Sequence, residues 1–214
     1  MNKNLTELVF VLDQSGSMAG REEAVVNDYN QMIEKQKKIK GEALVTTILF
    51  SNKTTFLHER VNINKIKPIA TSDYKIFGGT ALIDAIGEGI EKIKTIHKYA
   101  SKNQVPKRTM FLITTDGLEN MSSKYSYDDI DRMIKEQEKV GWIFIFVAEN
   151  IECALMAKHI GINYNDILFV SDDPRHFKMA KDIGLPDENI LLTPDEEKML
   201  FSEKRISRFR KSDY

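Results

Sequence analysis

The chain has 214 residues, 42% hydrophobic and 29% charged, and its 31 basic and 32 acidic side chains leave a formal charge of −1. These proportions are those of a soluble globular protein. They exclude a disordered, collagen-like or disulfide-built chain, and they provide no overall basic field for nucleic acid or an anionic membrane. The one cysteine, Cys153, permits no intramolecular disulfide and fits a reducing compartment. The first residues lack the apolar stretch of a signal peptide, and the longest apolar run, Trp142–Ala148, is too short for a bilayer, so a cytoplasmic location is expected.

In chain order, Leu8-Val9-Phe10-Val11-Leu12 is an unbroken apolar run ending at Asp13, the pattern of a strand covered on both faces in a mostly parallel sheet. Val26, Tyr29, Ile33 and Ile39 follow at helical spacing, and Gly41 is placed to stop that helix. Residues 43–50 and 54–63 predict two strands. The turn Ser51-Asn52-Lys53 between them is too short for a crossover, so this pair is antiparallel and forms a sheet edge. Leu82, Ile86, Ile90, Ile93 and Ile96 line one face of a helix over 81–99. A strand at 109–114, a helix at 127–140 and a strand at 142–148 continue the alternation. Such a pattern calls for a doubly wound sheet with helices on both faces and right-handed crossovers.

An internal near-repeat follows. Met156-Ala157-Lys158-His159-Ile160-Gly161-Ile162 returns 23 residues later as Met179-Ala180-Lys181-Asp182-Ile183-Gly184-Leu185, and Ile167-Leu168 returns as Ile190-Leu191. One strand–helix unit used twice would extend the sheet edge. Residues 194–211 read as a final helix, with Asp195, Glu196 and Glu197 at its start and Arg208, Arg210 and Lys211 at its end, as the helix dipole favours.

Three polar clusters stand beyond strand ends or at a helix entrance, where a doubly wound sheet collects its functional loops. They are Asp13-Gln14-Ser15-Gly16-Ser17, Gly78-Gly79-Thr80 and Thr115-Asp116-Gly117. Their side chains are two carboxylates and several hydroxyls. Hard oxygens of this kind suit Mg²⁺ or Mn²⁺ rather than zinc. Alternate residues Asp13, Ser15 and Ser17 can point inward from a loop that curls around an ion. Gly78 and Gly79 allow the second loop to approach closely while presenting Thr80. Two aspartates match the charge of one divalent cation, and five side chains leave a position of an octahedral shell for water or an incoming carboxylate.

The run 8–18, with its D-x-S-x-S motif, resembles the opening of a von Willebrand factor type A domain, and Gly79-Thr80-Ala81-Leu82-Ile83-Asp84-Ala85-Ile86 resembles the threonine loop of its cytosolic bacterial members. Phe111-Leu112-Ile113-Thr114-Thr115-Asp116-Gly117-Leu118-Glu119-Asn120 and the 141–146 segment are similar to that family too. The likeness covers about residues 5–170 of one domain spanning 1–214, with 171–214 an added strand–helix unit and terminal helix. It implies a Rossmann-like α/β fold with a six-stranded core and one antiparallel edge strand. By carry-over, Asp13, Ser15, Ser17, Thr80 and Asp116 would hold the metal directly or through water, in what the family calls a metal-ion-dependent adhesion site. The implied activity is non-catalytic binding of a partner protein whose Asp or Glu completes the metal shell, with neither nucleic acid nor membrane as partner.

Around that site, Asp84 stands one turn after Thr80, where it could orient Thr80 or hold a metal-bound water, and Gly79 supports the close approach. Gln14, Met18, Phe77 and Gly78 are the expected rim against the partner. An enzyme is the alternative. Asp13, Thr114 or Thr115, and Phe169-Val170-Ser171-Asp172-Asp173 resemble the parts of a Mg²⁺-dependent phosphotransferase of the haloacid dehalogenase type, although Ser15 stands where that chemistry needs a second acid. His58, His97, His159 and His176 are scattered and read as surface residues.

Overall fold

The computed structural model describes residues 1–170, 174–186 and 190–191. Strands and helices alternate as β1 (Asn2–Asp13), α1 (Glu22–Lys37), β2 (Glu42–Phe50), β3 (Thr54–Asn62), α2 (Leu82–Tyr99), β4 (Pro106–Thr115), α3 (Tyr127–Glu138), β5 (Trp142–Ala148), α4 (Ile151–His159), β6 (Ile167–Val170), α5 (Pro174–Asp182) and β7 (Ile190–Leu191). They form one sheet in the order β3-β2-β1-β4-β5-β6-β7. Every neighbouring pair is parallel except β2 with β3, the hairpin edge. Six strands form the expected core with one antiparallel edge strand, and the two-residue β7 lies beyond them.

β1 is central because both of its faces are apolar. Val9 and Val11 enter one core with Ile48, Phe111, Ile113 and the inner faces of α2, α3 and α4. Leu8, Phe10 and Leu12 enter the other, against α1 and the 63–74 segment. Each such side chain stabilises the fold by about 1.5–3 kcal/mol relative to exposure, which outweighs any local propensity. Register then levels the strand ends: Asp13 lies opposite Phe50 on β2, and Leu12 opposite Thr114 on β4. The loops after β1 and β4 therefore leave the sheet side by side.

Two glycines let α2 pack closely, Gly89 on the sheet and Gly87 on the loop after β4. A Cβ on Gly89 would lie 2.8 Å from Ile48 Cδ1, and one on Gly87 2.6 Å from the Tyr125 ring. This close packing fixes the start of α2, immediately after Thr80, over the ends of β1 and β4.

The near-repeat is structural. In both copies a glycine at φ 92° ends the helix, Gly161 after α4 and Gly184 after α5. The stops bond alike: the N–H of Ile162 reaches the carbonyl of Ala157 at 3.1 Å, and that of Leu185 reaches Ala180 at 3.1 Å. β6 and β7 then add in parallel to the edge at β5. The expected helix at 194–211 and the Asp172-Asp173 pair lie outside the described residues. Among the described residues, no helix is long and apolar enough to cross a membrane.

At the pole opposite the candidate site, Glu7 is fully buried between Arg60 and His97. Its carboxylate accepts from Arg60 Nε at 2.8 Å and pairs with His97 Nε2 at 2.7 Å. A register shift in β3 opposite Thr46 turns Arg60 toward Glu7, with its backbone at φ 48°. His97 is therefore bonded to a buried carboxylate rather than free on the surface. His58 likewise departs from the surface reading, since its Nδ1 lies 3.1 Å from Thr47 Oγ1 beside the Tyr29 hydroxyl.

Candidate metal centre

β1 ends by delivering Asp13, whose carboxylate is fully buried. Its Oδ1 accepts the N–H of Ser15 at 2.7 Å, which curls the chain back after the strand. Its Oδ2 accepts the hydroxyl of Thr115, the last residue of β4, at 2.5 Å. The Tyr74 hydroxyl donates to the Asp13 backbone carbonyl from beneath. Burial pushes the Asp13 carboxyl above its ordinary range; the Thr115 and Ser15 hydrogen bonds pull it down, and the nearby negative charge of Asp116 raises it again. An ionised Asp13 is thus short of positive charge at this position.

Three hydroxyls converge nearby. Ser15 Oγ and Ser17 Oγ are 2.9 Å apart. A Cβ built on Gly117 would lie 3.0 Å from Ser17 Oγ, 3.0 Å from Thr80 Oγ1 and 3.5 Å from Ser15 Oγ. One point in space therefore faces a hydroxyl from each of three positions, on two loops separated by more than sixty residues of sequence.

Asp116 supplies the second carboxylate. Its Oδ2 accepts from Arg21 Nη1 at 3.2 Å, and Arg21 also pairs with Glu149. Burial works against the Arg21 charge, but Glu149 and Asp116 more than offset it and keep the guanidinium protonated. The other oxygen, Asp116 Oδ1, is buried with no hydrogen-bond partner among the described residues. A buried carboxylate oxygen without a donor costs free energy, on the order of 1–3 kcal/mol, unless something else satisfies it. Among the described residues, no group of three or more His, Cys, Asp and Glu could hold a metal by itself. The donor set here is instead two carboxylates with hydroxyls, which fits a hard divalent cation such as Mg²⁺ or Mn²⁺.

The loops are tied to one another. Gly16 N–H donates to the Gly78 carbonyl at 3.0 Å, and Phe77 N–H to the Gln14 carbonyl at 2.9 Å. Asn120 brackets Thr80: its Oδ1 accepts the Thr80 N–H at 2.9 Å, and its own N–H reaches the Thr80 carbonyl at 3.0 Å. Glu119 accepts the N–H of Ile83 at 2.9 Å, satisfying an orphan donor in the first turn of α2. Gly79 has its role because Met121 and Asn120 lie where a side chain would go, and Gly78, at φ 70°, faces Asn52 in the same way.

Three expectations are corrected. The Asp84 carboxylate neither orients Thr80 nor faces the hydroxyl cluster; it accepts N–H groups from Ser123 at 2.9 Å, Lys124 at 2.9 Å and Tyr125 at 3.1 Å, and so anchors the loop after β4. Met18 is 3% exposed and Gln14 6%, so neither can form a rim. Phe77 and Gly78 are exposed. Sequence reading missed Thr115, Tyr74, Arg21, Glu119 and Asn120 as supports. Of these, only Thr115, a hydroxyl on the last strand residue beside Asp116, carried a local signal.

No family model and no curated protein matches the chain. Solved structures do. A von Willebrand factor type A protein from Catenulispora acidiphila superposes with a TM-score of 0.56 at 14% identity, covering 85% of this chain and 41% of that one. Proximal thread matrix protein 1 from the mussel byssus, with a zinc-occupied MIDAS motif, gives 0.52 at 17%, covering 85% and 45%. The manganese-loaded TRAP protein of Plasmodium vivax gives 0.56 at 15%, covering 79% and 69%. The chain spans less than half the length of the first two. Its fold is that of von Willebrand factor type A domains.

Proposed function

We propose that the chain is a non-catalytic, metal-dependent protein-binding module. Asp13, Ser15, Ser17, Thr80 and Asp116 would hold one Mg²⁺ or Mn²⁺ directly or through water, and an Asp or Glu of a partner protein would complete the shell. The observation that carries this reading is the buried, partnerless Oδ1 of Asp116 beside three hydroxyls that face a common point. A bound cation would supply the positive charge that the paired carboxylates lack and offer a site for an incoming carboxylate. The chain's own part is to fix the donors: Thr115 and the Ser15 N–H hold Asp13, Arg21 holds Asp116, and Asn120 holds the Thr80 backbone. The mussel protein's zinc and the TRAP protein's manganese support a divalent cation at such a site.

The phosphotransferase alternative has less support. The fold is that of von Willebrand factor type A domains, which lends no support to a phosphotransferase reading of Asp13. Ser15, two residues on, cannot act as the general acid.

Manganese titration followed by electron paramagnetic resonance tests the cation. Wild type should bind one Mn²⁺ that Mg²⁺ displaces, and Asp13→Ala should not. Affinity capture in Mg²⁺ or EDTA, with wild type and Asp13→Ala, then tests the partner. A protein retained equally in all four arms would refute metal-bridged recognition.

A further inference from the structure

A carboxylate can meet a cation through one oxygen or chelate it through both. Chelation requires that both oxygens be free and that the group can turn to present them. At Asp116 neither condition holds. Its backbone is fixed, because Asn150 Nδ2 donates to the Asp116 carbonyl at 2.9 Å and the N–H of Gly117 donates to Thr115 Oγ1 at 3.1 Å. Its side chain is fixed by Arg21, whose Nη1 donates to Oδ2 at 3.2 Å. Arg21 in turn pairs with Glu149, which keeps the guanidinium from following the carboxylate if that group turns. Only Oδ1, buried and without a partner among the described residues, is left for an ion.

Asp13 is closed to chelation as well. Its Oδ1 accepts the Ser15 N–H and its Oδ2 the Thr115 hydroxyl, so each oxygen has committed a lone pair, and turning the group breaks both bonds. The hydroxyls of Ser15, Ser17 and Thr80 bring one oxygen apiece. Each side chain of the cup therefore offers a single oxygen. That supply suits the octahedron of Mg²⁺ at about 2.1 Å, whereas Ca²⁺ takes about 6–8 oxygens at about 2.3–2.6 Å and commonly draws two of them from one carboxylate.

We infer that Arg21 is a positioning residue that sets the cation preference of the cup. By occupying Oδ2 it limits Asp116 to one oxygen, and so favours Mg²⁺ and Mn²⁺ over Ca²⁺. Arg21 lies 95 residues from Asp116 in sequence and outside the three polar clusters that supply the donors. The inference rests on the proposed cation site and adds how the ion is chosen. Released from Arg21, the Asp116 carboxylate can turn and present both oxygens. Ca²⁺ then gains a ligand, while Mg²⁺, confined to its octahedron, does not. Loss of the guanidinium charge strengthens attraction for both ions alike and cancels in the ratio of their affinities.

Displacement of Mn²⁺ by Mg²⁺ or Ca²⁺, followed by electron paramagnetic resonance, reads that ratio. On wild type, Ca²⁺ should need a concentration at least about tenfold higher than Mg²⁺ to displace the same Mn²⁺. Arg21→Met keeps the aliphatic stem and removes the donors; it should shift the ratio about tenfold toward Ca²⁺, and Arg21→Ala should do the same. The Arg21 side chain is 38% exposed, so both variants should still melt cooperatively. Glu149→Gln removes a charge beside the cup while leaving the bond from Arg21 to Asp116, so its Mg²⁺ and Ca²⁺ affinities should move together and keep the wild-type ratio. Equal displacement by the two ions on wild type would overturn the inference and leave the cation site standing. So would an unchanged ratio in the Arg21 variants, or a shift of the same size in Glu149→Gln. Failure of wild type to bind Mn²⁺ at all would remove the underlying reading as well.

Discussion

A single methyl group placed on Gly117 tests the geometry of the cup without removing any donor. The new Cβ would lie 3.0 Å from Ser17 Oγ and Thr80 Oγ1 and 3.5 Å from Ser15 Oγ, inside the space the three hydroxyls share. Mg²⁺ binds oxygens at about 2.1 Å. A methyl carbon prefers roughly 3.5–4 Å from atoms it is not bonded to, so it must push the hydroxyls apart and exclude the cation. Gly117→Ala should therefore weaken Mn²⁺ binding by at least about a hundredfold, ~2.7 kcal/mol. Stability should change little. The contacts are to hydroxyls that yield by a few tenths of an ångström, and replacing glycine by alanine lowers unfolded-state entropy by about 0.4–1 kcal/mol where the backbone conformation is compatible. Gly117 is absent from the glycines with positive φ. The net change should stay within about 1 kcal/mol, or about 2–4 °C for a chain of this size. Calorimetric Mn²⁺ titration and thermal melting of wild type, Gly117→Ala and Asp13→Ala read both quantities. If Gly117→Ala bound Mn²⁺ as wild type does while Asp13→Ala did not, the three hydroxyls would not enclose the cation and the ligand set would be wrong.

Other consequences are as direct. Asn120→Ala frees the Thr80 N–H and should lower Mn²⁺ affinity by up to about tenfold, on the order of one neutral hydrogen bond, with a melting temperature that falls by only a few degrees. Glu7→Ala strips a buried carboxylate from Arg60 and His97 and should cost about 3–5 kcal/mol in urea unfolding. Mn²⁺ affinity should be unchanged, because Glu7 lies at the opposite end of the sheet. Burial pushes the Cys153 thiol up to about 12 from 9.0, so iodoacetamide at pH 8 should label it in urea and not in the native chain. The folded state prefers the neutral thiol, so that contribution to stability is whole below pH 9.0 and declines as pH rises toward about 12, which melting curves across that interval would display.

The apolar runs carried much of the fold into the sequence. Leu8–Leu12 and Trp142–Ala148 have no polar alternation, so they must be covered on both faces, and the Ser51-Asn52-Lys53 turn admits only an antiparallel pair. The repeated M-A-K-x-I-G unit was equally plain, because each copy needs the same glycine at its helix stop. The supports of the site were not. Asp84 stands in the first turn of α2, a placement that suits the helix dipole, a hydrogen bond to Thr80 and the anchoring of a distant loop equally well. Only packing α2 against the 119–125 loop selects the last. Met18 and Gln14 fail as rim residues for the same kind of reason: motif spacing says nothing about which way a turn rolls its side chains.

By itself the sequence determined which strands are buried, where the hydrophobic period changes, and which short polar motifs end the strands, since those follow from local periodicity and residue chemistry. The level at which β1 and β4 end, the glycine-mediated descent of α2, and the partnerless oxygen of Asp116 were decided only by the tertiary structure. These depend on register and on contacts across more than a hundred residues of chain, as between Asp13 and Thr115, and no local pattern encodes a distance.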